Sequence, residues 1–173
     1  FTELKEYYKQ TSESDTTKIS FYEDTYSLYN LYRFAHYYEE AYGKYIWLKS
    51  GASLVIEHTE AMTVIDVNTG SVLKKKKQED TLFYQINREA AKEIARQLRL
   101  RNISGIIMID FINMKDTAQK EKLLSLLDSE CKKDRVHCNV IDMTALNLVE
   151  MTRSKVRKPL HEQIRSCMKN NRS

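Results

Sequence analysis

Two aspartates close two strand-like runs. Asp66-Val67-Asn68 ends the run Met62–Val67, which is rich in β-branched residues. Side chains alternate along a strand, so Asp66 and Asn68 share one face while Ile65 and Val67 take the other. Asp110 ends Ile106–Ile109, an unbroken apolar run of the kind buried on both faces of a sheet. A carboxylate in that position is costly unless it is solvated, paired or bound to a cation. If the two strands are neighbours, Asp66 and Asp110 meet at one sheet end and repel, and a hard divalent cation removes the repulsion. Mg²⁺, or Mn²⁺ in its place, keeps several waters around one or two carboxylates and a substrate phosphate. Such an ion orients a water, lowers its pKa and stabilises charge on a phosphodiester, which are the minimum parts of a hydrolysis. The same residue types also serve plainer ends, since an Asp after an apolar strand often caps a turn or helix. Pattern alone leaves both readings open.

Basic residues form a second group. Lys74, Lys75, Lys76 and Lys77 follow Gly70 in a polar loop, and Arg96, Arg99, Arg101 and Arg153 are suited to bidentate phosphate contacts. Helix arginines also pair with nearby acids, as Glu93 three residues before Arg96 allows. His36, His58, His137 and His161 fall at no metal-ligand spacing. The tyrosines near the front (Tyr22, Tyr26, Tyr29, Tyr32, Tyr37 and Tyr38) could stack on bases, but at helical spacing they read as core and helix-face residues.

These groups need a frame. Residues 1–20 are polar, without sustained period, and read as a linker or extension; 21–160 form the core and 161–173 a basic tail. From Asp24 the residues Leu28, Leu31, Ala35, Tyr38 and Tyr42 make one helical stripe that Gly43 can stop. Tyr45–Lys49, Ser53–His58 and Met62–Val67 then form a meander of antiparallel strands. Asp80 is placed to cap a helix with Phe83, Ile86, Ala90, Ile94 and Leu98 on its apolar face. A further helix from about Thr117 to Cys131 carries Leu123, Leu127 and Cys131 at steps of four. Val136–Met143 reads as a strand, and Leu146–Thr152 fits strand or helix. The sum is an α/β (or α+β) layered domain: a mixed sheet with packed helices.

The 173 residues suffice for one domain, and 30% charged with 42% apolar residues is a globular balance. No run has the roughly 18 apolar residues of a membrane span. The cysteines, Cys131, Cys138 and Cys167, are odd in number and form no C-x-x-C pair, which fits a reduced cytoplasmic setting better than a disulfide framework. Phe1 is not an initiator Met, so an upstream part is expected. The net charge of +4 hides an asymmetry: from Met151 onward seven Lys/Arg face the single acid Glu162, leaving 21 basic and 23 acidic groups in residues 1–150. A basic end on a mildly acidic body suits an anionic polymer such as nucleic acid.

The segments "YEDTYSLYNLYRF", "YIWLKSGASLVIEHTEAMTVIDVNTG", "NREAAKEIARQLRLRNISGIIMIDFINM" and "DRVHCNVIDMTALNLVEMTR" resemble the core of the ribonuclease E/G family over roughly Phe21 to Leu160. The resemblance implies an endonuclease of single-stranded RNA whose deoxyribonuclease-like subdomain holds Mg²⁺ through Asp66 and Asp110, with Asn68 assisting. It also implies an OB-fold RNA-binding domain and a 5′-monophosphate pocket upstream of this segment. Two positions depart from the pattern. Asn113 stands where relatives usually carry an acid. The zinc link of the family uses a C-P-x-C pair just past the EMTR segment, whereas here Cys167 is followed three residues later by Asn170, so a zinc-linked pair of protomers is not expected and a homo-oligomer is left open. A non-catalytic RNA-binding or assembly module with the same fold, and a DNA-directed nuclease, are the alternative readings. Cleavage-site preference and dependence on the RNA 5′ end are not encoded in these motifs.

Overall fold

The computed structural model describes residues 2–11, 19–70 and 79–170. It divides into two compact units, residues 1–37 and 38–173. The first unit holds α1 (Thr2–Thr11) and α2 (Leu28–Leu31). Helix α1 occupies part of the stretch read as a linker; its Leu4 and Tyr7, three residues apart, are the faint helical signal, and both are exposed.

The expected continuous helix from Asp24 is broken. Arg33 takes the left-handed backbone at φ 50, and a separate helix α3 (Phe34–Tyr42) follows. Its stripe is also not a core stripe: Leu28, Leu31, Tyr38 and Tyr42 are exposed, and Ala41 is the buried residue of α3. Tyr26, Tyr29, Tyr32 and Tyr37 are exposed as well, against the expectation that they pack inward.

In the second unit six strands form one sheet in the order β1-β2-β3-β4-β6-β5. They are β1 (Tyr45–Trp47), β2 (Ser53–His58), β3 (Met62–Asn68), β4 (Gly105–Asp110), β5 (Cys138–Met143) and β6 (Leu148–Arg153). Strands β1, β2 and β3 are the antiparallel meander the turn signals predict. The segment after Leu146 resolves as the strand β6, inserted between β4 and β5. Only β3 and β4 run parallel, and a parallel pair needs a crossover. Helix α4 (Glu79–Leu100) supplies it. Asp80 lies inside α4 rather than capping it.

The sheet is covered on one face. Ile65 and Val67 of β3, Ile107 and Ile109 of β4, and Val149 and Met151 of β6 join one core with Ile86, Ala90, Ile94 and Leu98 of α4. Helix α5 (Thr117–Cys131) adds Leu123, Leu127 and Cys131, and its N-cap Asp116 accepts the Ala118 N–H at 2.9 Å. Each fully buried aliphatic chain contributes about 1.5–3 kcal/mol, which makes this shared layer the main support of the fold. The run Ile106–Ile109 is therefore not buried on both faces: Ile106 is exposed and Met108 half-buried. Apolar continuity cannot report which faces of a strand are covered. Two of the odd cysteines meet where α5 ends and β5 begins; Cys131 and Cys138 are free and hydrogen-bonded thiol to thiol. The basic end forms helix α6 (Leu160–Asn170).

Candidate active site

Strand alternation sends Thr63, Ile65 and Val67 into the core and leaves Asp66 half-buried and Asn68 exposed on the opposite, open face. In β4 the same rule buries Ile107 and Ile109 and exposes Asp110. The parallel register sets Asp66 directly beside Asp110. Neighbouring strands lie about 4.8 Å apart, so the two carboxylates rise side by side from one sheet end. Asn68 donates its side-chain N–H to Asp66 Oδ2 at 2.6 Å, which orients that carboxylate. Burial, and next the neighbouring Asp66 charge, hold the Asp110 carboxyl above the usual carboxylate range. Like charges forced together are what a cation relieves.

Three further residues hold this sheet end. Gly70 has φ +57, and a Cβ there would meet the Gly51 carbonyl oxygen at 2.6 Å. The chain leaving β3 thus lies against the β1–β2 turn so closely that only glycine fits. Glu89 of α4 accepts the Lys49 and Ser50 backbone N–H groups of that turn at 2.8 and 3.3 Å. Asn87, two residues earlier in α4 and 0% exposed, makes both backbone bonds to Ile112: it donates to the carbonyl at 2.7 Å and accepts the N–H at 3.0 Å. Helix α4 therefore clamps the segments flanking both aspartates. The sequence reading passed over Asn87; a lone Asn interrupting the apolar stripe of a helix was the available signal.

The arginines proposed as phosphate contacts lie elsewhere. Arg101 is 4% exposed, donating to Gln97 Oε1 and to the Gly43 and Glu40 carbonyls. Arg153 is likewise 4% exposed, paired with Asp134 at 2.9 Å and donating to Asn102 and Ile103. Burial would raise the Asp134 carboxyl, but the Val136 N–H and Arg153 hold it below its usual range. Both guanidinium groups are committed inside the fold. Arg99 is exposed and reaches the Glu130 carbonyl at 3.4 Å, and Arg96 is locked to Glu93. Arg153 pairs in register with Gly105, at the opposite end of β4 from Asp110, a separation of roughly 17 Å at the usual rise per residue. Lys74, Lys75, Lys76 and Lys77 lie outside the described residues.

Among the described residues no group of three or more His, Cys, Asp or Glu gathers as a metal cluster. The donor set at the sheet end is two carboxylates with an amide beside them. That is a hard-oxygen set, incomplete without waters and an oxygen-bearing substrate, which fits Mg²⁺ or Mn²⁺ and not the closed thiolate–imidazole shell of structural zinc. Cavities of about 330 and 490 Å³ open elsewhere in the second unit, and neither is lined by Asp66 or Asp110. Among the described residues the pair stands on the face of the sheet away from the helical core, with Asn68 and Asp110 exposed.

A mixed sheet with helices on one face and two aspartates paired across its parallel strands defines the class of α/β domain to which this chain answers. The profile of the Ribonuclease E/G family matches residues 1–156, and the chain belongs to that family. It is 40% identical over 160 residues to Ribonuclease G of Haemophilus influenzae, covering 92% of this chain and 32% of that protein. It is 41% identical over 145 residues to Ribonuclease G of Escherichia coli, 84% of this chain and 29% of that protein. Ribonuclease E of Nostoc sp. is 35% identical over 162 residues, 92% of this chain and 23% of that protein. The chain thus spans a third or less of the length of these relatives. No described helix is long and apolar enough to cross a membrane.

Proposed function

We propose that this chain is the cation-holding catalytic part of an endoribonuclease that hydrolyses phosphodiester bonds in single-stranded RNA. The observation that supports it is the parallel register that sets Asp66 beside Asp110 on the sheet face away from the helical core, Asp110 being exposed. Asp66 and Asp110 would hold Mg²⁺, with Mn²⁺ as a substitute. When bound, the ion supplies an activated water and offsets charge on the phosphodiester. The chain's own contribution is placement: Asn68 fixes the Asp66 carboxylate, Gly70 and Glu89 fix the strand end and the turn beside it, and Asn87 fixes the exit from β4. Capture of the RNA is assigned to an OB-fold domain joined ahead of this chain, as the family resemblance implies.

The second reading, an RNA-binding module that no longer cuts, draws on the absence of a third carboxylate among the described residues at the site. One experiment separates the two. Mn²⁺ binding by the chain and RNA cleavage by the full-length protein are compared for wild type, Asp66→Asn and Asp110→Asn. The catalytic reading expects cleavage to fall by orders of magnitude and Mn²⁺ binding to weaken in both variants. Without divalent cation, Asp110→Asn should melt no lower than wild type, because the raised Asp110 carboxyl marks a charge that the fold disfavours. Undiminished turnover in Asp110→Asn would remove the catalytic role.

A further inference from the structure

The open face of the sheet carries two aromatic side chains on its edge strand. Trp47 is 73% exposed and Tyr45 60%, while Ile46 between them is buried, so alternation along β1 commits both rings to the open side. The register ties them to the aspartates: Tyr45 pairs with Val55, which pairs with Asp66, and Trp47 pairs with Ser53, which pairs with Asn68. Two strand spacings put the aromatic positions roughly 10 Å from Asp66 and Asn68. The intervening positions on that face are the short side chains Ser53 and Val55. An exposed indole on an open edge strand costs hydration free energy and leaves an inviting surface, and nothing in the packing of the core requires it.

We infer that Tyr45 and Trp47 form a stacking platform for the base of a nucleotide next to the phosphodiester held at Asp66 and Asp110, a reading that rests on the proposed function and extends it. Positions two apart on a strand face are separated by about 6.8 Å, close to two base-stacking steps of roughly 3.4 Å, so one base fits between the rings. Stacking on aromatic faces tolerates any base, because every base has a π-face. Cations flank the platform: Lys44 Nζ lies 5.8 Å from the Tyr45 ring centroid and is ion-paired with Glu57, and Lys49 follows Trp47 by two residues in the exposed turn. The aromatic pair would thus set where along a strand the phosphodiester meets the carboxylates, without reading sequence.

Trp47 is the only tryptophan of the chain, so its emission reports on the platform alone. The Asp110→Asn chain is titrated with a short oligoriboadenylate and with an abasic ribose-phosphate oligomer of equal length, while binding is followed in parallel by anisotropy of a labelled oligomer. The expected result is saturable quenching by oligoadenylate and binding of the abasic oligomer without quenching. Trp47→Ala should weaken oligoadenylate binding roughly five- to hundredfold and leave abasic binding unchanged, while Trp47→Phe keeps most of the affinity. Equal quenching by both oligomers, no quenching by oligoadenylate, or undiminished oligoadenylate affinity in Trp47→Ala each overturn the platform; a face occupied by another polypeptide instead of RNA gives the second of these. Cleavage by the full-length Asp110→Asn protein tests the active-site reading separately, since the quenching does not depend on it.

Discussion

A Cβ placed on Gly70 would lie 2.6 Å from the Gly51 carbonyl oxygen, at a backbone φ of +57. The left-handed conformation alone costs a β-carbon roughly 1–2 kcal/mol, and the contact with backbone adds to it because neither partner can rotate away. Gly70→Ala is therefore expected to lower the melting temperature and also to weaken Mn²⁺ binding, since relief of the clash moves the end of β3 that carries Asp66 and Asn68. Thermal melts with Mn²⁺ titration check it; an unchanged Mn²⁺ affinity would mean that the turn and the strand end move independently. At this scale the sequence was informative about where Asp66, Asn68 and Asp110 stand in their strands, because alternation and strand ends are local properties. It misplaced Arg101 and Arg153, read as candidate phosphate contacts and found buried on internal partners. Whether a guanidinium faces solvent or a carbonyl such as that of Gly43 depends on residues distant in the chain.

Helix α4 does two tasks, filling the core with one stripe and holding the site with Asn87 and Glu89. Asn87→Ala would leave the Ile112 N–H and carbonyl without their partner, an expected loss of roughly 1–3 kcal/mol, and would release the segment just past Asp110. Denaturant midpoints measure the first effect and Mn²⁺ affinity the second; a stability loss with full Mn²⁺ affinity would confine Asn87 to the core. Helix α6 is docked differently. His161 stacks on His58 with centroids 3.7 Å apart, and His58 Nδ1 shares a hydrogen bond with Thr63 Oγ1 at 3.0 Å. Burial, then His161 and Arg101, push the His58 imidazole down to about 4, against an unfolded value of about 6.5. The neutral ring is thus the form that the fold favours. The contribution of His58 to stability is complete above about pH 6.5 and is lost progressively toward about pH 4, because the unfolded chain takes up a proton that the fold refuses. Urea midpoints across that window should fall with pH in wild type and fall less in His58→Gln; identical slopes would exclude His58 as the source. Helix α5 was legible down to its ends from Leu123, Leu127 and Cys131 at steps of four. The break at Arg33 was not, since a single left-handed residue leaves no periodic signature, and the exposure of Ile106 was not, since a strand does not encode how many of its faces are covered.

For the molecule as a whole, the proposed function makes charge the main source of the RNA affinity to be expected. The described basic residues Lys155, Arg157 and Lys158 are exposed, while Arg101 and Arg153 are engaged internally. A few cationic contacts on a body of net charge +4 bind phosphates by counterion release, which falls steeply with salt and weakens further as screening sets in beyond about 8–10 Å. RNA affinity of the chain is expected to be modest at low salt and to drop by an order of magnitude or more at several times that salt, with an OB-fold domain joined upstream restoring capture through effective concentration. Binding measured at two ionic strengths decides; salt-independent affinity would shift the main attraction from phosphates to bases. The parallel pairing of β3 with β4 has a kinetic side as well. Their aspartates sit side by side, yet the whole of α4 lies between them in the chain. The β1–β2–β3 meander and the helices are local and need little loop closure, whereas this ladder, like the pairing of β4 with β6, must wait for a long loop to close. A chain that has made its hairpins and its helices, but has not yet brought β4 beside β3, owns both aspartates and not yet the paired carboxylates to which the proposal assigns a cation.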